Sequence, residues 1–177
     1  MSHDEQSLPT TGPGRTTAGL LAAVLAVLAG LTVLAPGASA APAPTAAPTA
    51  VTPTQAAQLT KVVALTNQYR QQNGCQALTR DTRADTSAQR HADWMNQTGT
   101  FSHTGANGSS FVDRMKAAGY PTPGGENIAQ GQRDAQAVMT AWMNSPGHRA
   151  NILNCRFTKI GVGLAGTKNY WVQNFGY

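Results

Sequence analysis

The sequence predicts an α+β fold in which helices come first and a small antiparallel sheet comes last. Between Thr52 and Leu153 the apolar residues recur at helical spacing, with a capping residue before most of the runs. From Ile160 onward the pattern changes to the alternation that is typical of strands. Because strands and helices do not alternate along the chain, helices packed around a small sheet fit the pattern better than a βαβ array.

Two helices are predicted in the first part of the domain. Thr52 and Pro53 supply an N-cap and a proline at the first helical position, and the apolar stripe continues until Gly74 ends the helix. Asp81 can cap a second helix, whose inward stripe consists of Ala84, Ala88, His91 and Met95. Since His91 shares that stripe, we interpret it as a hydrogen-bonded core histidine that lies apart from any functional site.

Three further helical segments precede the sheet. Residues 110–113 (SFVD) form a capping box for a third helix, which stops at Gly119. Asp134 can cap a fourth helix, and residues 145–148 (SPGH) begin a short helical turn. These segments account for the chain up to the first strand.

Two strands close the sequence. Ile160, Val162 and Leu164 alternate along the first strand, Gly166 marks a turn, and residues 170–175 form the second strand. The two runs are joined closely enough to pair as an antiparallel hairpin.

The beginning of the chain carries an export signal. An uncharged apolar run, residues 18–34, leads to three small residues at 38–40 (ASA), which a signal peptidase needs. We therefore assign residues 1–40 to a signal peptide. An uncleaved membrane anchor is the alternative, because Asp4 and Glu5 stand where basic residues are usual.

The remaining chain divides into a linker and one domain. Residues 41–54 are almost entirely Ala, Pro and Thr, a composition that buries too little apolar surface to fold. Residues 55–177 have the length of a single domain. The signal and linker together predict a protein that is secreted or associated with the cell envelope.

After residue 40 the chain carries twelve basic and six acidic residues, a net charge of +6. The arginines are scattered along helical faces, which indicates a solvated surface and argues against a nucleic-acid site. The charge favours contact with anionic cell-wall polymers or lipid headgroups. We expect a monomer that contacts a membrane only if the signal remains uncleaved.

Cys75 and Cys155 both lie in the exported part of the chain. Two cysteines in an oxidising compartment pair with each other far more often than they remain free. We therefore predict a disulfide between them, which stabilises the fold by about 4–5 kcal/mol if its geometry is unstrained. The pairing also removes the thiol nucleophile that a papain-like enzyme would need.

One carboxylate and two histidines form the candidate site. Glu126 is the only glutamate after residue 40 and follows two glycines, in what we interpret as a glycine-rich loop. His103 and His148 lie in segments that are equally rich in turn-forming residues. Such a set can bind a cation or move a proton, so we predict that the three side chains converge.

Four motifs in this order resemble the bacterial branch of the CAP superfamily, the SCP-like group of cysteine-rich secretory, antigen 5 and plant pathogenesis-related proteins. The motifs are residues 67–70 (NQYR), 124–129 (GGENIA), 145–153 (SPGHRANIL) and 170–173 (YWVQ). The resemblance implies a three-layer α-β-α sandwich. It also implies a shallow cleft that is lined by two histidines and up to two acidic residues.

The resemblance places His103, Glu126 and His148 on three of those cleft positions. At the fourth position many eukaryotic members carry a glutamate, three residues after the tryptophan, whereas this chain has Ser145. The departure leaves one carboxylate, which weakens an inherited expectation of tight divalent-metal binding.

Three classes of function are open, and we favour a non-catalytic extracellular binding module. Its cleft would take a lipid, a peptide, a cell-wall fragment or a cation, and it would require no cofactor. The second class is a metal-dependent enzyme with His103, Glu126 and His148 as ligands. Zn²⁺ is the favoured ion because neutral imidazoles and one carboxylate suit zinc better than calcium or magnesium.

The third class is a hydrolase that acts outside the cell. His103 or His148 would be the base, Glu126 the group that orients it, and Ser102 or Ser145 the nucleophile. The sequence contains no Gly-x-Ser-x-Gly elbow and no His-Glu-x-x-His zinc motif. Ser145 also has a structural interpretation as the N-cap before a proline.

Overall fold

The computed structural model describes residues 52–177, so the predicted signal peptide and nearly all of the predicted linker lie outside it. Within this range, no helix has both the length and the apolar character that a membrane span requires. The helices are α1 (Pro53–Gln72), α2 (Thr82–Thr98), α3 (Phe111–Ala117), α4 (Ala135–Met143) and α5 (Pro146–Ile152). The strands are β1 (Thr79–Arg80), β2 (Pro123–Gln130), β3 (Lys159–Ala165) and β4 (Tyr170–Gly176), and a 3₁₀ turn spans Ala106–Gly108.

The capping residues predicted from the sequence lie at the helix starts. Thr52 and Ser110 each form a capping box, and the side chains of Asp81 and Asp134 accept backbone N–H groups of the first turn. Ser145 is the N-cap of α5, but its hydroxyl makes no capping hydrogen bond. The predicted N-cap position of Ser145 is therefore confirmed, but its side chain does not supply the capping hydrogen bond.

The four strands form one sheet in the order β1-β3-β4-β2. The predicted antiparallel hairpin β3–β4 is present, and β2 pairs antiparallel to the other side of β4. The two residues of β1 pair parallel to β3, which makes the sheet mixed. Every residue of β4 is buried, because strands lie on both of its edges and helices on both of its faces.

The glycine-rich segment around Glu126, residues 124–129, forms a strand where its turn-forming residues suggested a loop. They lie within β2, where Glu126 is opposite Asn174 and Asn127 is opposite Gln173. A side chain at Gly124 would overlap the ring of Phe157. These glycines therefore serve close packing, a use that cannot be distinguished from turn formation in the sequence alone.

Helices cover both faces of the sheet, so the predicted three-layer α-β-α sandwich is confirmed. Helices α1, α4 and α5 pack on one face, and α2 with α3 packs on the other. The larger core lies between α1, α4 and the sheet, with Trp142, Trp171 and Phe175 at its centre. Burial of these aromatic rings contributes several kcal/mol of transfer free energy, on the order of 2–3 kcal/mol each.

Helix α2 lies unusually close to β3. Side chains at Gly161 or Gly163 would overlap the α2 backbone at Ala84 or Ala88, so glycine and alanine together permit the contact. Two α2 side chains also complete the hydrogen bonding of β3 beyond the short β1. Asp85 accepts the N–H of Val162 at 2.8 Å, and Gln89 bonds both the N–H and the carbonyl of Leu164.

The ends of α1 and α5 are joined by a buried arginine and a disulfide. The Arg70 guanidinium donates to four backbone carbonyls, those of Gln76, Ile152, Asn154 and Phe157. Burial lowers the pKa of Arg70. The predicted bond between Cys75 and Cys155 is present beside this network, with 4.9 Å between the two Cα atoms.

Replacing Gly161 with alanine should destabilise the domain by about 3 kcal/mol or more, because the new methyl group would overlap the α2 backbone, which cannot rotate away. Urea unfolding followed by circular dichroism measures the change. Gly147→Ala is the matched control, since a side chain there meets no atom within 4 Å. Equal stability of the two variants would contradict the close contact between α2 and β3.

Candidate functional site

The carboxylate of Glu126 lies at the centre of the candidate site. Its side chain is only 1% exposed, although β2 is an edge strand. Oε2 accepts from Arg114 Nη2 at 2.7 Å, and Oε1 lies 2.9 Å from His103 Nδ1. Both oxygens are thus engaged, which satisfies the requirement that a buried charge be paired and hydrogen-bonded.

Arg114 holds the neighbouring loop as well as the carboxylate. Its Nη1 donates to the carbonyl of His103 at 2.9 Å and to the carbonyl of Ser109 at 2.7 Å. The guanidinium reaches both because Gly105 has no side chain; a carbon there would lie 3.0 Å from Nη1. One arginine on α3 therefore fixes Glu126 and the backbone that carries His103.

The contact with Glu126 sets the tautomer of His103. An ionised carboxylate can only accept, so Nδ1 carries the proton and donates it to Oε1. In the neutral ring, Nε2 then presents its lone pair, and the side chain is 56% exposed. An imidazole oriented by a carboxylate in this way can accept a proton, accept a hydrogen bond from a ligand or coordinate a cation.

His91 is a core histidine, as predicted, but it does not lie apart from the site. It is 1% exposed and its Nε2 donates to the carbonyl of Ser102 at 2.9 Å, next to His103. Burial lowers the pKa of His91 to about 4, against a smaller opposing effect from the charge of Glu126. The ring is thus neutral at physiological pH, and its hydrogen bond to Ser102 holds the loop that carries His103.

His148 lines a cavity of about 360 Å³, and neither His103 nor Glu126 is among its lining residues. The other residues of its wall are Phe101, Ile128, Ala129, Gln130, Gln132, Ala141, Trp142 and Ser145. Burial, followed by the neighbouring charge of His103, lowers the pKa of His148. Among residues 52–177 its ring makes no hydrogen bond to Glu126 or His103, so direct contact is present between His103 and Glu126. The convergence of His148 with these two side chains through one water stays a prediction.

Two asparagines tie α5 to the strand that carries Glu126. Asn127 Nδ2 donates to the carbonyl of His148 at 3.1 Å and to Gln173 Oε1 at the same distance. Asn151 Nδ2 donates to Asn127 Oδ1 at 2.9 Å and contacts the Glu126 carbonyl at 3.3 Å. This network fixes the position of His148 relative to Glu126.

The donor set does not form a complete zinc site. Glu126 is buried and engaged on both oxygens, so in this arrangement it can orient His103 but not bind a metal directly. Nε2 of His103 and the ring of His148 remain as candidate metal ligands, whereas zinc sites use at least three protein ligands. In the described part of the chain no group of three or more His, Cys, Asp or Glu is spaced to hold a metal ion. The zinc hypothesis stays a prediction.

Sequence reasoning missed two residues of the site. A buried glutamate needs a positively charged partner, so a Lys or Arg beside Glu126 could have been predicted. The sequence spacing does not show which of the twelve basic residues after residue 40 is that partner. Gln132 carries an Oε1 atom that is buried without a partner in the described structure, and it lines the cleft beside His148. Nothing in its sequence context marks it.

Comparisons with known proteins identify the family and the fold. A family model described as the cysteine-rich secretory protein family, CAP, matches residues 63–175. The Bacillus subtilis protein YkwD is 44% identical over 117 residues, 65% of this chain and 45% of YkwD. The B. subtilis membrane protein YlbC is 34% identical over 116 residues, 65% of this chain and 33% of YlbC. The chain thus spans less than half the length of either relative.

Solved structures share the fold. An extracellular protein containing an SCP domain from Bacillus anthracis str. Ames matches with a TM-score of 0.66 and 30% identity, over 72% of this chain and 44% of that one. An outer surface protein from Borrelia burgdorferi matches with a TM-score of 0.62 over 68% of this chain and 92% of its own length. Its identity is 22%, so this second likeness concerns the fold alone.

Arg114→Met should lower the free energy of unfolding by about 3–5 kcal/mol, because it leaves the buried Glu126 charge without a cation. Urea unfolding at neutral pH measures the loss. Adding Glu126→Gln should restore part of the stability, since the uncompensated charge is then gone. Arg133→Met is the control: its ion pair with Asp134 is exposed, and we expect a change below about 0.5 kcal/mol. A double variant no more stable than Arg114→Met would contradict the pairing.

The depressed pKa of His91, about 4 against an ordinary 6.5, makes stability depend on pH. Between these two values the unfolded chain takes up a proton that the folded chain excludes. The His91 contribution is therefore complete above pH 6.5 and is lost as the pH falls towards 4, by about 3 kcal/mol in all. Urea unfolding across this range should show a shallower dependence for His91→Gln than for the wild type. An NMR titration midpoint near 6.5 for the folded His91 ring would show the pKa assignment to be wrong.

Proposed function

The chain belongs to the cysteine-rich secretory protein (CAP) family, and on this premise we propose that it is an extracellular binding module without catalytic activity. Its ligand is a polar sugar–peptide fragment of the cell wall. The fragment binds in the cavity that His148 lines, which we call the His148 cleft, with the lining residues given above.

The observation that carries the proposal is the number of uncommitted polar groups in the His148 cleft. Gln132 Oε1 is buried without a partner, and the Ser145 hydroxyl is not used to cap α5. His148 adds a ring whose pKa is lowered by burial, and Phe101 adds an apolar surface that is 48% exposed. A few fixed polar groups beside an aromatic face are what a sugar or peptide needs for orientation and contact.

Charge and redox chemistry support a place outside the cell. The disulfide between Cys75 and Cys155 is the kind of bond that persists in oxidising compartments. The excess of basic residues would draw the domain towards anionic polymers of the envelope. The B. anthracis relative in which the same fold occurs is described as extracellular.

A serine hydrolase is less well supported because its parts are divided. Glu126 orients His103, whereas Ser145 lies in the cleft with His148. A triad needs nucleophile, base and orienting group in one chain of hydrogen bonds, and no hydroxyl bonds either histidine within residues 52–177. Ser102, the other candidate nucleophile, already accepts the N–H of Thr104 in a local turn.

Calorimetric titration with soluble sugar–peptide fragments of peptidoglycan tests the proposal. We expect measurable binding by the wild type, and a roughly tenfold loss of affinity in Gln132→Ala and in Phe101→Ala, because each removes one anchoring contact. Gln136→Ala is the matched control, since Gln136 is an exposed glutamine on α4 outside the cleft. Absence of binding, or equal losses in all three variants, would overturn the proposal.

Two further measurements separate the alternatives. Mass spectrometry of the fragments after incubation detects turnover, and turnover that Ser145→Ala abolishes would favour the hydrolase. Titration with zinc at neutral pH tests the cation role, for which Ser145→Glu supplies the acidic ligand that the cleft lacks. Zinc uptake that strengthens in Ser145→Glu would favour a metal-binding function.

A further inference from the structure

Two asparagines of the sequence directly precede a glycine, Asn73 and Asn107. An asparagine loses its side-chain amide most readily before glycine, because glycine has no Cβ to hinder attack by its own backbone nitrogen. The two sites contain the same reactive atoms, so the surrounding structure decides which of them reacts. They differ in how firmly the chain holds them.

Asn107 lies in a tight turn of the loop between α2 and α3. The N–H of Ser109 closes this turn by donating to the carbonyl of Ala106 at 3.1 Å. Asn107 (φ 55°, ψ 29°) and Gly108 (φ 74°) occupy the two central positions with left-handed backbone, the pattern of a type I′ turn. Asparagine tolerates positive φ better than most residues, although less well than glycine. The backbone of Asn107 is therefore in a less favourable conformation than its neighbours.

No other group restrains the Asn107 side chain. Within residues 52–177 its amide makes no hydrogen bond, and residues 106–108 are all exposed. The attacking nitrogen, that of Gly108, donates to the carbonyl of Gly105 at 3.2 Å, the long end of the usual range. Opening an exposed turn costs little free energy, because few buried contacts are lost. A local opening therefore frees both reacting groups.

Asn73 is held more firmly. It is the C-cap of α1 (φ −111°), and its Nδ2 donates to the carbonyl of Tyr69 at 2.8 Å. Its own N–H bonds the carbonyl of Arg70. Cys75, the residue after Gly74, is fixed by the disulfide and by a backbone hydrogen bond to Arg70. Reaction at Asn73 requires that contacts of this kind break first.

We propose that Asn107 is a site of spontaneous deamidation, and that one of its products loosens the loop that Arg114 holds. The backbone nitrogen of Gly108 loses its proton and attacks Cγ of Asn107, so that a C–N bond forms. The side-chain nitrogen takes up a proton and leaves as ammonia, which gives a cyclic succinimide. Water then opens the succinimide at either carbonyl, and the product is aspartate or isoaspartate.

Isoaspartate changes the turn, because the main chain then passes through the side-chain methylene and becomes one atom longer. The carbonyl of Ser109 accepts from Arg114 Nη1 at 2.7 Å and from the N–H of Gly105 at 2.8 Å. A longer backbone within residues 106–109 cannot keep this closure unchanged. Aspartate leaves the backbone length as it was, so the isoaspartate product alone disturbs the contact with Arg114. Deamidation here does not depend on the function proposed for the His148 cleft.

Peptide mapping by mass spectrometry, after incubation of the folded protein at mildly alkaline pH, measures conversion at both sites. We expect Asn107 to convert roughly tenfold faster than Asn73, since a side-chain hydrogen bond and the adjacent disulfide restrain Asn73. In urea with the disulfide reduced, the two sites should convert at similar rates. Folded protein in which Asn73 converts as fast as Asn107, or in which neither converts although both do in urea, would overturn the proposal.

Urea unfolding of the isolated products tests the effect on the loop. The isoaspartate form should unfold at a lower urea concentration than the fresh protein, whereas Asn107→Asp should stay close to it. Asn107→Gly is the matched control, because glycine adopts positive φ and has no amide to lose. Its stability should not change on incubation. An isoaspartate form as stable as the fresh protein, or an equal loss in incubated Asn107→Gly, would contradict the link between the turn and Arg114.

Discussion

The buried carboxylate of Glu126 is the constraint on which the candidate site depends. A charge that is removed from water must be paired, and leaving it unpaired costs several kcal/mol. Arg114 supplies the pair, and the same guanidinium bonds the backbone at His103 and Ser109. The pair need not add net stability over an apolar substitute. Its effect is to fix positions, because Arg114 on α3 bonds both Glu126 on β2 and the loop that carries His103.

The close contact of α2 with β3 also helps to hold the loop that carries His103. Because Gly161 and Gly163 have no side chains, the helix approaches the strand closely enough for Asp85 and Gln89 to bond the strand's free backbone groups. The helix position in turn places His91 under the loop, where it bonds the carbonyl of Ser102. Packing between α2 and β3 therefore helps to position the loop that carries His103.

Arg114 also lines a second cavity, between α2 and α3, while it pairs with Glu126. The His148 cleft is different in character, with amide, hydroxyl and imidazole groups along its wall. The two cavities share no lining residue.

Local sequence determined the helices, their caps and the β3–β4 hairpin, because periodicity, Ser, Asp and Thr caps and glycine stops act over a few residues. The count of two cysteines in a chain with an export signal predicted the disulfide, and the residue types and motifs around His103 and Glu126 predicted their meeting. Tertiary structure alone decided that residues 124–129 form a strand, that β1 pairs parallel to β3, and that Arg114 is the partner of Glu126. Each of these features depends on residues that are distant in sequence. In the sequence, a glycine that permits close packing, such as Gly124, looks the same as a glycine that forms a turn. The partner of Glu126 is decided only when α3 packs beside β2 and brings Arg114 to the carboxylate.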